Sequence, residues 1–104
     1  MEESNPSLSE MPRIHDIFDV PKVKSIRATS KINKALNLEE VLKRLPNVKA
    51  ITTSKKNVVK FTLRRGNYLL LFPNGYIEIH AAEEGSIREI LSAFREELFK
   101  AGLI

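Results

Sequence analysis

Three stretches in the second half of the chain alternate apolar and polar side chains with the period of two that marks a β-strand. In NVVKFTLRR, Val59, Phe61 and Leu63 fall on one side and Lys60, Thr62 and Arg64 on the other. In NYLLLF, Leu69 and Leu71 lie opposite Tyr68, Leu70 and Phe72, and in GYIEIHA, Ile77 and Ile79 lie opposite Glu78 and His80. VKAITT precedes them as a fourth candidate, and the joints are the short polar turns SKKN, RRGN and PNG. Tight turns between strands predict an antiparallel meander with one apolar and one mixed face. Upstream, KVKSIRATSKI reads as a first strand over residues 22–31, with Ile26 and Ala28 on one face and Ser25, Arg27 and Thr29 on the other.

Two segments change to the helical period. Leu38, Val41, Leu42 and Leu45 share a stripe behind Asn37, a good N-cap with Glu40 three residues on, and Pro46 with Asn47 ends it. At the C-terminus Ile87, Ile90, Leu91, Phe94, Leu98 and Ala101 recur at three- and four-residue spacing. Ser86 with Glu89 predicts a capping box there, and Gly102 a stop. The expected fold class is therefore α+β, a five-stranded antiparallel sheet with two helices on one face, in the order β-α-β-β-β-β-α. Ahead of it, Ile14, Ile17, Phe18 and Val20 form a short docking segment before Pro21, and residues 1–12 read as a disordered tail. The domain assignment is an acidic, partly disordered N-terminal tail at 1–21 and one folded domain at 22–104.

A length of 104 residues with 42% hydrophobic side chains suits a single core, and no apolar run is long enough to span a bilayer. The acidic, polar N-terminus lacks the pattern of a secretory signal and the chain has no cysteine, so cytosol or nucleus is the expected compartment. The net charge of +4 hides a steeper pattern. Residues 22–65 hold thirteen Lys or Arg against Glu39 and Glu40, whereas the flanking segments are both acidic. Such a segment suits a polyanion through phosphate neutralisation and counterion release; it is equally the composition of a solvated surface paired with the acids of the C-terminal third.

Catalysis finds no seat. His15 and His80 are the only imidazoles, and neither has an acid at metal-helix spacing, so no metal site and no cofactor is expected. Glu83 with Glu84 and Glu96 with Glu97 are adjacent pairs that diverge or are solvated, and the glycines form no phosphate-cradling loop. The expectation is a binding module and not an enzyme.

Several strings, in order, resemble one repeat of the TATA-binding protein family. KSIRATSKINKALNLEEVLKRLPN is similar to that family's first strand, linker and first helix, LLLFPNGYIEIHAAEEG to its later strand pair, and the closing KAGLI to the end of its last helix. The resemblance covers residues 22–104 and implies a half-saddle: a curved sheet with helices on the convex side and nucleic acid on the concave side. A lone repeat implies either a homodimer joined through the strand at 22–31 or a monomer. Carried over residue by residue, Phe72 matches a phenylalanine that wedges between base steps and Leu70 an apolar groove contact. Ser25 stands in place of an asparagine, Arg27 and Glu78 in place of valines, and His80 in place of a threonine. The second wedge falls near Ser54 or Lys55, neither of which can serve, and these departures count against TATA-box bending. The resulting nucleic-acid-binding set is Ser25, Arg27, Thr29, Lys60, Thr62, Tyr68, Leu70, Phe72 and His80, in a transcriptional or accessory DNA-binding role with DNA preferred over RNA. The alternative is a protein-interaction module that uses the same face for a protein partner such as a transcription factor, which Glu78 and the acidic tail favour. A third reading has segment 1–21 folding over the basic face as a mimic of DNA.

Overall fold

The computed structural model describes residues 11–53 and 56–104. The disordered-tail expectation for residues 1–10 and the second wedge position at Ser54 and Lys55 lie outside the described residues. A single helical turn α1 (Ile14–Ile17) leads to β1 (Lys22–Lys24) and β2 (Arg27–Lys31), then α2 (Leu38–Arg44). The strands β3 (Val48–Thr53), β4 (Lys56–Thr62), β5 (Tyr68–Leu71) and β6 (Tyr76–His80) follow, and α3 (Ile87–Lys100) closes the chain. The class is α+β, with all strand pairs antiparallel in the order β1-β2-β6-β5-β4-β3. Strands β3 to β6 form the expected meander, and α2 carries the chain from β2 back across the sheet to β3.

The expectation of five strands is corrected to six, because residues 22–31 are two strands and not one. β6 ends at His80, opposite Arg27, and only the Ala81 N–H to Ile26 carbonyl bond continues the ladder. A straight strand would leave residues 22–25 beyond that end with unpaired backbone groups, an arrangement the chain avoids by folding back. Ser25 takes φ +62° and Ser25–Ile26 makes a two-residue turn, so that Lys24 pairs with Arg27, Val23 with Ala28 and Lys22 with Thr29. Ile26 is consequently 42% exposed in the turn and takes no place in the core. β2 has a partner on each side, which makes β1 the outer edge of the sheet.

One sheet face is covered. All five large apolar side chains of the α3 stripe, Ile87, Ile90, Leu91, Phe94 and Leu98, are buried. They meet Phe61, Leu69, Leu71, Ile77 and Ile79, the inward residues of β4, β5 and β6, in one cluster. Val41 and Leu45 bring α2 into the same cluster, as do Ile14, Ile17 and Phe18 for the segment ahead of β1, so part of residues 1–21 is built into the domain. Phe94 is the centre: its ring lies 5.4 Å from Phe61 and 6.2 Å from Phe18.

Of the four helix ends read from the sequence, three hold, the stop at Pro46 among them, since α2 ends at Arg44 with Leu45 as its C-cap. Asn37 accepts a hydrogen bond from the Glu39 N–H at 2.8 Å, and Glu40 turns away from any capping box to pair with Arg44 at 2.9 Å. Gly102, at φ +76°, ends α3 with its N–H on the Phe99 carbonyl and the Leu103 N–H on the Leu98 carbonyl, the two bonds of a Schellman motif. Ser86 makes no capping bond, because the 3-10 turn Glu84–Ser86 enters the helix already wound and leaves its backbone in helical conformation.

Gly75 holds the β5–β6 turn against β2. Its φ is +89°, an added Cβ would lie 3.2 Å from the Ile32 carbonyl oxygen, and its own carbonyl accepts the Ile32 N–H at 2.9 Å. Gly75→Ala therefore strains a left-handed position and presses on backbone that is already bonded. A loss of about 1–3 kcal/mol is expected, seen by calorimetry as a melting point lower by roughly 5–20 °C at about 4–8 °C per kcal/mol for a domain near this size.

Candidate functional site

Register turns alternation into a map of the opposite face, since directly paired residues share a side of the sheet. One row across the strands reads Lys24, Arg27, His80, Tyr68 and Thr62. The next reads Lys22, Thr29, Glu78, Leu70, Lys60 and Lys49. The third begins with Lys31 opposite Tyr76, and Phe72, directly after β5, donates its N–H to the Tyr76 carbonyl at 2.9 Å. Ile51 opposite Val58 completes that row on β3 and β4. α2 and α3 pack on the other side, and among the described residues no helix lies over this face.

The charge on it is one-sided. Lys22, Lys24, Arg27, Lys31, Lys49 and Lys60 stand against two carboxylates among the described residues, Glu78 and Asp19, the latter beside Lys31 with its N–H on the Lys31 carbonyl at 2.9 Å and lining one hollow with Lys22, Thr29 and Tyr76. From β1 to β3 is five strand spacings, about 24 Å at ~4.8 Å each.

The first two rows are tied into a column. The Tyr68 and His80 rings are stacked at 4.5 Å between centroids and 8° between planes, close to the spacing of the strands that carry them. They therefore stand face to face across the gap with their edges outward. Lys60 Nζ lies 4.4 Å from the Tyr68 centroid, and it comes from β4, on the far side of β5 from His80. Both faces of Tyr68 are thus taken, one by an imidazole and one by an ammonium, a cation–π contact contributing about 0.5–1 kcal/mol at a partly exposed site. What Tyr68 presents outward is an edge and a hydroxyl. His80 Nε2 lies 3.4 Å from Glu78 Oε1, and Arg27 stands opposite His80 from β2. The column offers hydrogen-bond donors and cations, a chemistry suited to phosphate oxygens, and no ring face for a base to stack on at Tyr68.

The third row is apolar. Phe72 and Tyr76 lie 5.5 Å apart and tilted by 58°, both half-buried. Val58 is only 1% exposed although it faces away from the helices, and it is absent from the core cluster beneath them. Phe72 is thus part of a small second cluster beside the Pro73–Asn74–Gly75 turn.

Of the sequence-predicted site residues, Arg27, Thr29, Lys60, Thr62, Tyr68, Leu70, Phe72 and His80 share this face. Ser25 does not: the hairpin places it at the tip between β1 and β2, with left-handed backbone and outside every row. Sequence reasoning missed Lys22, Lys24, Lys31, Lys49 and Tyr76. Lys31 and Tyr76 were available by counting two residues on from Thr29 and back from Glu78; Lys22 and Lys24 needed the hairpin. No family model, curated protein or solved structure matches the chain.

Proposed function

We propose that the chain is a nucleic-acid-binding module, and that the open sheet face holds the phosphate backbone in a transcriptional or accessory DNA-binding role. The observation that carries this reading is the set of six cations against two carboxylates, Glu78 and Asp19, on a face without a covering element among the described residues. Lys60 rests on the face of the Tyr68 ring, so this cation loses less freedom on binding than a lone surface lysine. The reading as a TATA-binding-protein-like repeat belongs to the same proposal; an antiparallel sheet with helices on one face is in keeping with it.

The test is fluorescence anisotropy with labelled duplex and single-stranded DNA and RNA between 50 and 200 mM salt. Engagement of four or five phosphates gives a duplex log K against log salt slope of about −4, and a fall in affinity of roughly 10²–10³ over that range. No binding at 50 mM salt, or a slope shallower than −1, removes the proposal. Glu78 favours the second reading, a protein partner with a basic segment, and Glu78→Gln separates the two. Loss of the carboxylate at the centre of the face tightens nucleic-acid binding by roughly three- to tenfold, corresponding to about 0.7–1.4 kcal/mol, whereas it weakens a basic peptide.

A further inference from the structure

The outer edge of the sheet adds an apolar arrangement that borders the cationic face at Lys22 and Lys24. The large apolar side chains most exposed among the described residues are Val20 at 70%, Val23 at 56% and Ile26 at 42%, all within one seven-residue window along β1. Alternation puts Val23 on the helix side of the sheet, since its partner Ala28 is buried there. Beside it runs a groove of about 400 Å³ whose walls include Ile14, Val20, Val23, Ile87 and Leu91. Arg88 supplies a cation at its rim, His15 an imidazole and Glu84 the one acid.

The backbone at this edge is unpaired in one defined place. Ile26 gives its carbonyl to Ala81 on the β6 side, so Arg27 and Thr29, one and three residues on, direct their groups to β1. Lys24 and Lys22 answer them, and Val23 between the two turns its N–H and C=O outward. A donor, an acceptor, an apolar side chain and an apolar groove thus meet at one residue, with Lys22 and Lys24 flanking it on the opposite face.

We propose that this edge and groove take an extended segment of a partner protein that alternates apolar and acidic side chains and adds to the sheet as a seventh strand. The period of two sends its apolar side chains into the groove beside Val23 and its carboxylates over Lys22 and Lys24. A second copy of the chain is the poorer occupant. Antiparallel pairing of two β1 strands about Val23 sets each Lys22 directly opposite a Lys24, and like charges so placed repel. Edge lysines discourage self-pairing in the same way that they select an acidic strand.

The probe is a fluorescein-labelled nine-residue peptide of alternating valine and glutamate, titrated with the full chain at 0.15 M salt, beside the peptide with lysine for glutamate. Saturable binding of the glutamate peptide and at least tenfold weaker binding of the lysine peptide are expected. Val23→Pro removes the outward N–H without touching the β1–β2 ladder and weakens binding at least tenfold, with circular dichroism unchanged. Val20→Glu, at an exposed position, gives the same loss should the proline variant unfold. Equal binding by wild type and Val20→Glu, or no binding of the glutamate peptide at 1 mM protein (~10⁻³ M, the weak end of specific association), overturns the proposal. A sedimentation dimer abolished by Val20→Glu also overturns it by assigning the edge to a second copy, and a tenfold gain on deleting residues 1–10 by assigning the groove to the chain's own acidic segment. Unchanged DNA anisotropy in Val20→Glu keeps this result separate from the fate of the nucleic-acid reading.

Discussion

Phe94→Ala is expected to lower stability by about 3–5 kcal/mol, the range for truncating a fully buried phenylalanine. The residue is 0% exposed and its ring joins three parts of the chain. Phe61 brings β4, Phe18 the segment ahead of β1, and Phe94 itself the middle of α3. Deleting the ring removes two aromatic contacts as well as the buried area, and the cavity cannot collapse easily because the sheet on one side is held by a full hydrogen-bond ladder. For a domain of this size total stability is about 5–15 kcal/mol, so the variant gives up at least about a fifth of it. Thermal melting should drop by roughly 12–40 °C at about 4–8 °C per kcal/mol. A drop under 5 °C would mean that α3 is not packed on the sheet as described. Phe99 on the same helix is the comparison, being only half-buried, and its alanine variant should lose much less.

That core was legible in the sequence because each contributing element declares its own face. Ile87, Ile90, Leu91, Phe94 and Leu98 keep helical spacing, and Val59, Phe61, Leu69, Leu71, Ile77 and Ile79 keep strand alternation; every one is buried. What stayed hidden depends on partners. The break at Ser25 follows from β6 ending at His80, a fact about a strand some fifty residues away that no local pattern of KVKSIRATSKI contains. Ser86 failed as a cap because the preceding 3-10 turn, not the residue type, set its backbone. The site divides in the same manner. Alternation alone put Arg27, Lys60, Tyr68 and His80 on one side of the sheet, but whether they touch is a question of register. A shift of β5 by two residues against β6 would have preserved every face and separated Tyr68 from His80. Lys22 and Lys24 joined the face only because the hairpin folds them onto it.

The double variant Arg27→Ala with Lys60→Ala is expected to reduce nucleic-acid affinity about 100-fold at 0.1 M salt. Each phosphate neutralised contributes a factor of roughly ten relative to 1 M salt, from a slope of about −0.9 per contact on a duplex. Arg27 on β2 and Lys60 on β4 are separated by β6 and β5, three strand spacings or about 14 Å. At that distance the two losses should add, so each single variant falls about tenfold. The slope of log K against log salt should become shallower by about two in the double variant, which distinguishes lost phosphate contacts from a damaged fold. The comparison pair is Lys43→Ala with Lys100→Ala, which removes the same net charge from the helices, where each lysine sits near a glutamate, Glu40 at 4.0 Å and Glu97 at 3.8 Å. If net charge alone governs binding, both double variants weaken it equally; if the face does, the helix pair changes affinity less than threefold. Lys60→Ala also takes an ammonium from the face of Tyr68, worth about 0.5–1 kcal/mol, so a melting point lower by a few degrees accompanies it and leaves the measurement intact. Equal loss in the two double variants would move the binding surface off the sheet.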